Sequence, residues 1–234
     1  MQNYNLICLP FAGGNRYSYR NFSNSSSPGI NLITLEYPGR GMRLDEPLIV
    51  DINLLVEDLF VQLTNISHAN KYVIYGHSMG GLLAYLLAKK ILNSKLCPPV
   101  HLFISGTSGP SSPKRRQKNK HLLGKREFIE EIVKLNVDSK EVLENQELLE
   151  LLEPILRADF QASETFEYHP TAPIDIPITI ITGTEEELEP EEIYAWKQET
   201  SYPITFKKIS GGHFFITNHP KKMIEIFSKI ILYK

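Results

Sequence analysis

Tyr72-Val-Ile-Tyr-Gly-His-Ser-Met-Gly-Gly-Leu-Leu-Ala84 decides the fold: an apolar strand runs into Gly-x-Ser-x-Gly and then into a helix-forming run. A serine hydroxyl is a weak nucleophile and must be held clear of its own backbone, beside a base. A sharp strand-to-helix turn does this by placing Ser78 at the apex in a strained conformation. Gly76 and Gly80 leave room where side chains would collide, and the free N–H groups of the following helix point toward whatever the serine attacks. Alone, the five-residue pattern also fits a glycine-rich turn, so the rest of the chain has to support the reading.

Working outward, strands and helices alternate. Strands are expected at Leu6–Leu9, Asn31–Glu36, Tyr72–Tyr75, Leu102–Ser105, Ile176–Thr182 and Ile204–Ile209. Helices are expected at Ile52–Leu63 with Asp51 as cap, at Gly80–Leu92, from Pro190 to about Glu199, and at Lys221–Leu232. This alternation predicts an α/β fold, a mostly parallel sheet with helices on both faces. Reactive groups in such sheets lie in loops at the carboxyl ends of strands, where Ser78 falls. From about 107 to 172 the alternation stops: a Gly/Ser/Pro loop leads into helical stretches at Lys125–Leu135, at Lys140–Leu152 and from about Pro154 to Phe166. Residues 1–234 are expected to form one domain, with this segment as a helical lid insertion beside Ser78.

Composition narrows the function. The chain has 234 residues, 42% hydrophobic and 22% charged, with a formal charge of −2, so no charge excess points to nucleic acid. Cys8 and Cys97 are the two cysteines; Cys8 sits in an apolar run, which argues against a disulfide framework and suits a reducing cytoplasm. The first residues lack the pattern of a signal peptide. No run is long enough to predict a membrane span.

A nucleophilic serine needs a base. Of seven histidines, His77 is the motif's variable residue, His68 and His169 fall in loops, His101 begins a strand, His121 lies in a basic stretch and His219 opens the last helix. His213 stands in Ser-Gly-Gly-His-Phe-Phe after the last strand, where this architecture draws its base in the order serine, acid, histidine. The acid belongs after the Ile176–Thr182 strand. There Gly183-Thr-Glu-Glu-Glu-Leu-Glu supplies glutamates, and position alone leaves Glu185, Glu186 and Glu187 open; Asp175 lies at the wrong end of the strand. Pro10-Phe-Ala-Gly-Gly14 follows the first strand, and Gly13 and Gly14 would let backbone N–H groups turn toward an anion. Arg40 and Arg43 fit either substrate contact or ion pairing.

With these residues in place, the chain resembles the type II thioesterases, stand-alone α/β-hydrolases that accompany nonribosomal peptide and polyketide synthases. The resemblance spans essentially the whole length. It rests on Leu9-Pro-Phe-Ala-Gly-Gly14, Glu36-Tyr-Pro-Gly-Arg-Gly41, Gly76-His-Ser-Met-Gly-Gly81, the Gly183-to-Trp196 spacing and Gly211-Gly-His-Phe-Phe215. It implies Ser78 as nucleophile, His213 as base, and an oxyanion hole from the Met79 and Ala12 amides. The family usually carries an aspartate where Glu186 falls, so Glu186 is expected to serve, with Glu185 as the fallback.

The activity implied is hydrolysis of acyl or aminoacyl thioesters on the phosphopantetheine arm of an acyl or peptidyl carrier protein, with no metal or diffusible cofactor. The expected partner is that carrier, and the expected state is a cytoplasmic monomer; a chain opening on its own Met1 sets it apart from cyclising thioesterases fused to synthases. Lys114, Arg115, Arg116, Lys118, Lys120, Lys125 and Arg126 form a basic run that would steer an acidic carrier or simply be solvated. Competing readings are a general carboxylesterase or lipase of the same fold and a non-catalytic binding protein.

Overall fold

The computed structural model describes residues 3–25, 27–66, 71–94, 96–117, 119–135 and 146–232. His68, Lys118 and the start of the helix expected from Lys140 lie outside the described residues.

Six strands form one sheet in the order β2-β1-β3-β4-β5-β6, every neighbouring pair parallel. They are β1 (Tyr4–Leu9), β2 (Ile30–Thr34), β3 (Lys71–His77), β4 (Leu102–Ser105), β5 (Ile178–Gly183) and β6 (Thr205–Ile209). The helices in chain order are α1 (Arg20–Ser23), α2 (Ile52–Thr64), α3 (Met79–Asn93), α4 (Lys125–Lys134), α5 (Gln146–Glu164), α6 (Pro190–Tyr194), α7 (Phe215–Asn218) and α8 (Pro220–Ile231).

The continuous apolar runs of β1, β3, β4 and β5 follow from burial on both faces. Alternate residues separate two cores. Ile7, Leu9, Ile74, Ile104 and Ile180 pack with Leu55 and Leu59 of α2 and Leu83 and Leu87 of α3. Leu6, Cys8, Val73, Tyr75, Phe103 and Ile181 pack with Met223 and Phe227 of α8. Cys8 is buried and Cys97 exposed, both as free thiols. Asp51 caps α2 by accepting from the N–H groups of Asn53 at 2.7 Å and Leu54 at 3.2 Å. At the outer edge, β6 leaves Lys207 and Lys208 exposed.

Three elements depart from the sequence pattern. The helix opening at Pro190 changes at Ala195 into a 3-10 turn ending at Gln198; this tighter turn buries Trp196, whose indole N–H donates to the Thr107 carbonyl at 3.1 Å. Two helices were expected on either side of residue 153, but one helix, α5, runs through with Pro154 inside it. Proline removes one intrahelical bond, and the burial of Ile155, Ala158 and Ala162 just beyond it offsets that loss. Ahead of α8, Phe215–Asn218 adds a short helical turn that the pattern did not show.

Because every strand is parallel, the segments after β1, β3, β4, β5 and β6 all emerge at one edge of the sheet. That edge gathers the candidate site.

Candidate active site

Ser78 joins β3 to α3 with φ 55° and ψ −120°, the one non-glycine residue with positive φ among the described residues. Such a backbone costs on the order of 1–3 kcal/mol and persists only where its surroundings enforce it. Here they do. A Cβ on Gly76 would lie 1.9 Å from the Gly80 carbonyl oxygen, and one on Gly80 would lie 2.2 Å from the Leu9 carbonyl oxygen. The Ser78 N–H donates to the Ser105 carbonyl at 2.8 Å, tying the turn to β4.

The loops after β5 and β6 are joined through their backbones: the Thr184 N–H donates to the Ile209 carbonyl at 2.9 Å and the Glu185 N–H to the Gly211 carbonyl at 3.0 Å. This brings His213 Nδ1 to 2.7 Å from Glu186 Oε1. The other carboxylate oxygen, Oε2, accepts from the Gly183 N–H at 2.7 Å. The Glu186 side chain is 3% exposed and that of His213 16%. Of the three glutamates open by position, Glu186 is the one that meets the histidine, whereas Glu185 and Glu187 are exposed.

The His213 ring lies against the ring of His77, the residue before Ser78, with centroids 4.8 Å apart. Phe214 packs on Phe11 of the first loop at 5.0 Å. His77, the motif's variable residue, is more than filler: its Nδ1 and the Ser105 hydroxyl are 2.9 Å apart, and that hydroxyl is 2.9 Å from the Tyr75 hydroxyl. Burial, reinforced by the nearby His213, holds the His77 imidazole well below its ordinary value of 6.5. The remaining described histidines sit elsewhere: His101 meets Thr179 at 2.9 Å, His121 meets Glu164 at 2.7 Å, His169 is exposed, and His219 stands just ahead of α8.

The start of α3 presses on the loop after β1, as the Gly80 contact with Leu9 shows. Tyrosines pin that loop: the Tyr19 hydroxyl donates to the Leu9 carbonyl at 2.8 Å and the Tyr37 hydroxyl to the Pro10 carbonyl at 2.7 Å. Gly13 and Gly14 were expected to let the loop turn its N–H groups toward an anion; their own amides are taken. The Gly14 N–H donates to the Phe11 carbonyl at 2.8 Å, and the Gly13 N–H donates to Asp159 Oδ2 at 2.7 Å. Among the described residues the Ala12 and Met79 amides have no such acceptor.

Neither arginine is free for substrate. Arg40 forms a two-pronged pair with Asp159 of α5, at 2.5 and 2.7 Å. Arg43 pairs with Asp58 at 2.7 Å and also with Glu46. The basic run is likewise largely engaged. Arg115 is buried and donates to the Thr107 hydroxyl and the Ser108 carbonyl, both at 2.7 Å, while Lys120 pairs with Glu131 at 2.8 Å and Lys125 with Glu153 at 3.5 Å. Arg115 therefore is not one of the surface charges that the basic run was expected to offer. No group of three or more His, Cys, Asp or Glu side chains is disposed to hold a metal among the described residues, and no described helix is long and apolar enough to cross a membrane.

The arrangement suits acyl transfer to serine, and comparisons with known proteins agree. The thioesterase domain family model matches residues 4–231. The thioesterase PikA5 of Streptomyces venezuelae is 31% identical over 214 residues, covering 91% of this chain and 75% of PikA5. Among solved structures, ClbQ from the colibactin NRPS/PKS pathway superposes with a TM-score of 0.91 at 30% identity, covering 99% of this chain and 98% of ClbQ. The type II thioesterase BorB from the borrelidin biosynthetic cluster gives 0.87 at 31% identity, covering 97% and 92%. The chain therefore belongs to the thioesterase domain family, hydrolases that act on thioesters, and is similar to its type II members.

Proposed function

We propose that this enzyme releases acyl or aminoacyl groups from the phosphopantetheine thioester of a carrier protein in a nonribosomal peptide or polyketide pathway. The observation that carries the reading is the half-buried Glu186–His213 hydrogen bond of 2.7 Å, formed beside the strained turn at Ser78. Glu186 holds the imidazole with Nδ1 protonated, leaving Nε2 to take the Ser78 proton. The serine oxygen attacks the thioester carbonyl. The resulting oxyanion rests on the Met79 and Ala12 amides, donors of a kind worth roughly 3–4 kcal/mol each in serine hydrolases. His213 returns the proton to the departing thiol; it then activates the water that splits the acyl-serine. None of these steps calls on a metal or diffusible cofactor.

The helical segment at about 107–172 emerges from β4 and carries α5 against the loop after β1, which supports its reading as a lid within one domain. The role that follows is housekeeping, the clearing of stalled acyl groups by a cytoplasmic monomer that visits its carrier transiently. Rates on an acyl-carrier thioester and on the matched oxygen ester test this. The thioester is expected to turn over faster; equal rates, or a faster ester, favour a general carboxylesterase. A fluorophosphonate probe should label the enzyme and fail on Ser78→Ala. Absence of labelling on the parent enzyme would make the chain a binding protein.

A further inference from the structure

Asp159 is fully buried on α5, far from Ser78 in sequence, and its carboxylate reaches the loop after β1. Its Oδ2 accepts from the Gly13 N–H at 2.7 Å and from Arg40 Nη1 at 2.5 Å, while Oδ1 accepts from Arg40 Nη2 at 2.7 Å. Arg40 is 3% exposed and Asp159 0%. The guanidinium also reaches the Gly14 carbonyl at 3.4 Å and the Pro38 carbonyl at 3.4 Å, and lies over the Tyr37 ring at 5.2 Å. One residue of the inserted helix is thereby joined to both glycines of the loop after β1.

The loop's geometry says what this contact governs. Phe11–Gly14 is a four-residue turn closed by the Gly14 N–H on the Phe11 carbonyl at 2.8 Å. Gly13, its third residue, has φ +76°, the signature of the type II form. The alternative type I form turns the middle peptide over and would carry the Gly13 N–H away from Asp159. That flip leaves the Phe11–Ala12 peptide as it is: the Ala12 N–H shares a plane with the Phe11 carbonyl, points away from the turn's own interior, and is aimed by where the whole turn is anchored. A second contact from α5 bears on the same residue: a Cβ on Gly13 would lie 2.5 Å from Leu156 Cδ2. Leu156 and Asp159, three positions apart, share one face of the helix.

We propose that Asp159 is a positioning residue for the oxyanion hole: by binding the Gly13 N–H while clamped by Arg40, it anchors the Phe11–Gly14 turn in the place from which the Ala12 amide faces the substrate. The helical segment between β4 and β5 thus supplies part of the acyl-transfer machinery, and seating of α5 and assembly of the hole are one event. A purely stabilising role accounts poorly for the pair, because a buried ion pair contributes little net stability compared with apolar residues of similar volume. The inference rests on the reading of Ala12 as an oxyanion donor.

The test uses a small acyl thioester together with a trifluoromethyl ketone carrying 13C at its carbonyl, which Ser78 would convert to a hemiketal. In the parent enzyme the hemiketal should ionise at lower pH than the free hydrate, because the hole stabilises its oxyanion. Asp159→Asn should lower kcat about 10- to 100-fold with KM changed less than about threefold, the scale expected for misplacing a group rather than deleting it. The hemiketal should then ionise one to two pH units higher, the same ~10- to 100-fold factor. Arg40→Met with Asp159→Leu leaves no buried charge, so its melting temperature should approach that of the parent while both defects persist. Full kcat in the double variant overturns the proposal, as does lost kcat with an unshifted hemiketal in either variant. A parent hemiketal that ionises no lower than the free hydrate refutes the oxyanion reading itself, and the positioning role falls with it.

Discussion

Replacing Glu186 with glutamine gives the sharpest test of the candidate triad, because the structure dictates how the amide must sit. One carboxylate oxygen takes the Gly183 N–H at 2.7 Å and the other faces His213 Nδ1 at 2.7 Å. Glutamine has a single oxygen. Turned toward Gly183, it satisfies that buried donor but presents its NH2 to Nδ1, which must then accept. The imidazole is forced to carry its proton on Nε2, where it cannot receive one from Ser78. Turned the other way, NH2 meets N–H, leaving a donor unsatisfied at a cost of about 1–3 kcal/mol. The first arrangement is favoured by that margin, so most molecules hold the wrong tautomer. They also lack the carboxylate that stabilises the imidazolium in the transition state. Loss of charge at the equivalent position of a serine triad costs about 10⁴ in kcat, and a fall of ~10³ to 10⁴ is expected here, with KM nearly unchanged. Glu185→Gln is the internal control: its side chain is exposed, and it joins the His213 loop through its backbone N–H. That variant should keep kcat within about twofold, the scale of a surface change. Steady-state hydrolysis of a short acyl thioester, read by thiol release, measures both. The reasoning is refuted if Glu186→Gln retains a tenth of parental kcat or if Glu185→Gln loses as much.

Gly76→Ala should lose about 3 kcal/mol or more of stability, or fail to fold, because its Cβ would meet the Gly80 carbonyl oxygen at 1.9 Å and backbone cannot yield as a side chain can; denaturant unfolding reads this, and near-parental stability would contradict the packing described for the turn. The His77 imidazole, held well below 6.5 by burial, stays neutral while the unfolded chain takes up a proton. Stability should therefore fall as pH drops below about 6.5, by as much as ~1.4 kcal/mol per pH unit, and His77→Asn should flatten that slope between pH 7 and 5; parallel profiles would refute the assignment. Arg115, whose guanidinium burial pulls down to about 10, should not tolerate charge reversal. Arg115→Glu is expected to cost about 3–5 kcal/mol and to impair carrier-bound and small substrates alike. Arg126→Glu, at a side chain 87% exposed, should leave the melting temperature unchanged, and any selective loss on carrier substrates would assign that one position to docking.

Much of the fold was legible because its signals are local. Buried parallel strands such as β3 and β5 announce themselves as short apolar runs, and the turn at Ser78 demands glycines at fixed offsets that cannot be disguised. His213 was legible for a related reason: the strand before it and the two glycines and two phenylalanines around it define a loop with one purpose. Glu186 needed a register that position alone did not supply, and the geometry around Gly183 provides it. Arg40 and Asp159 are separated by 119 positions, and no periodicity links them; their meeting is a property of the folded chain. Arg115 misleads for the opposite reason, since a cluster of basic residues looks solvated until tertiary packing takes one of them inside. Pro154 reads as a helix stop, yet burial of the residues beyond it outweighs one missing bond.

β6, one of the two edge strands of the sheet, is also the one from which His213 hangs, so this rim and the proposed base share a single tether. An open rim invites a stranger's strand to dock, and charged lysines are a common deterrent. Lys207 and Lys208 stand at that rim. A chain annealed along β6 would drag the imidazole's anchor with it, so what deters docking at this rim would also keep the His213 loop in place.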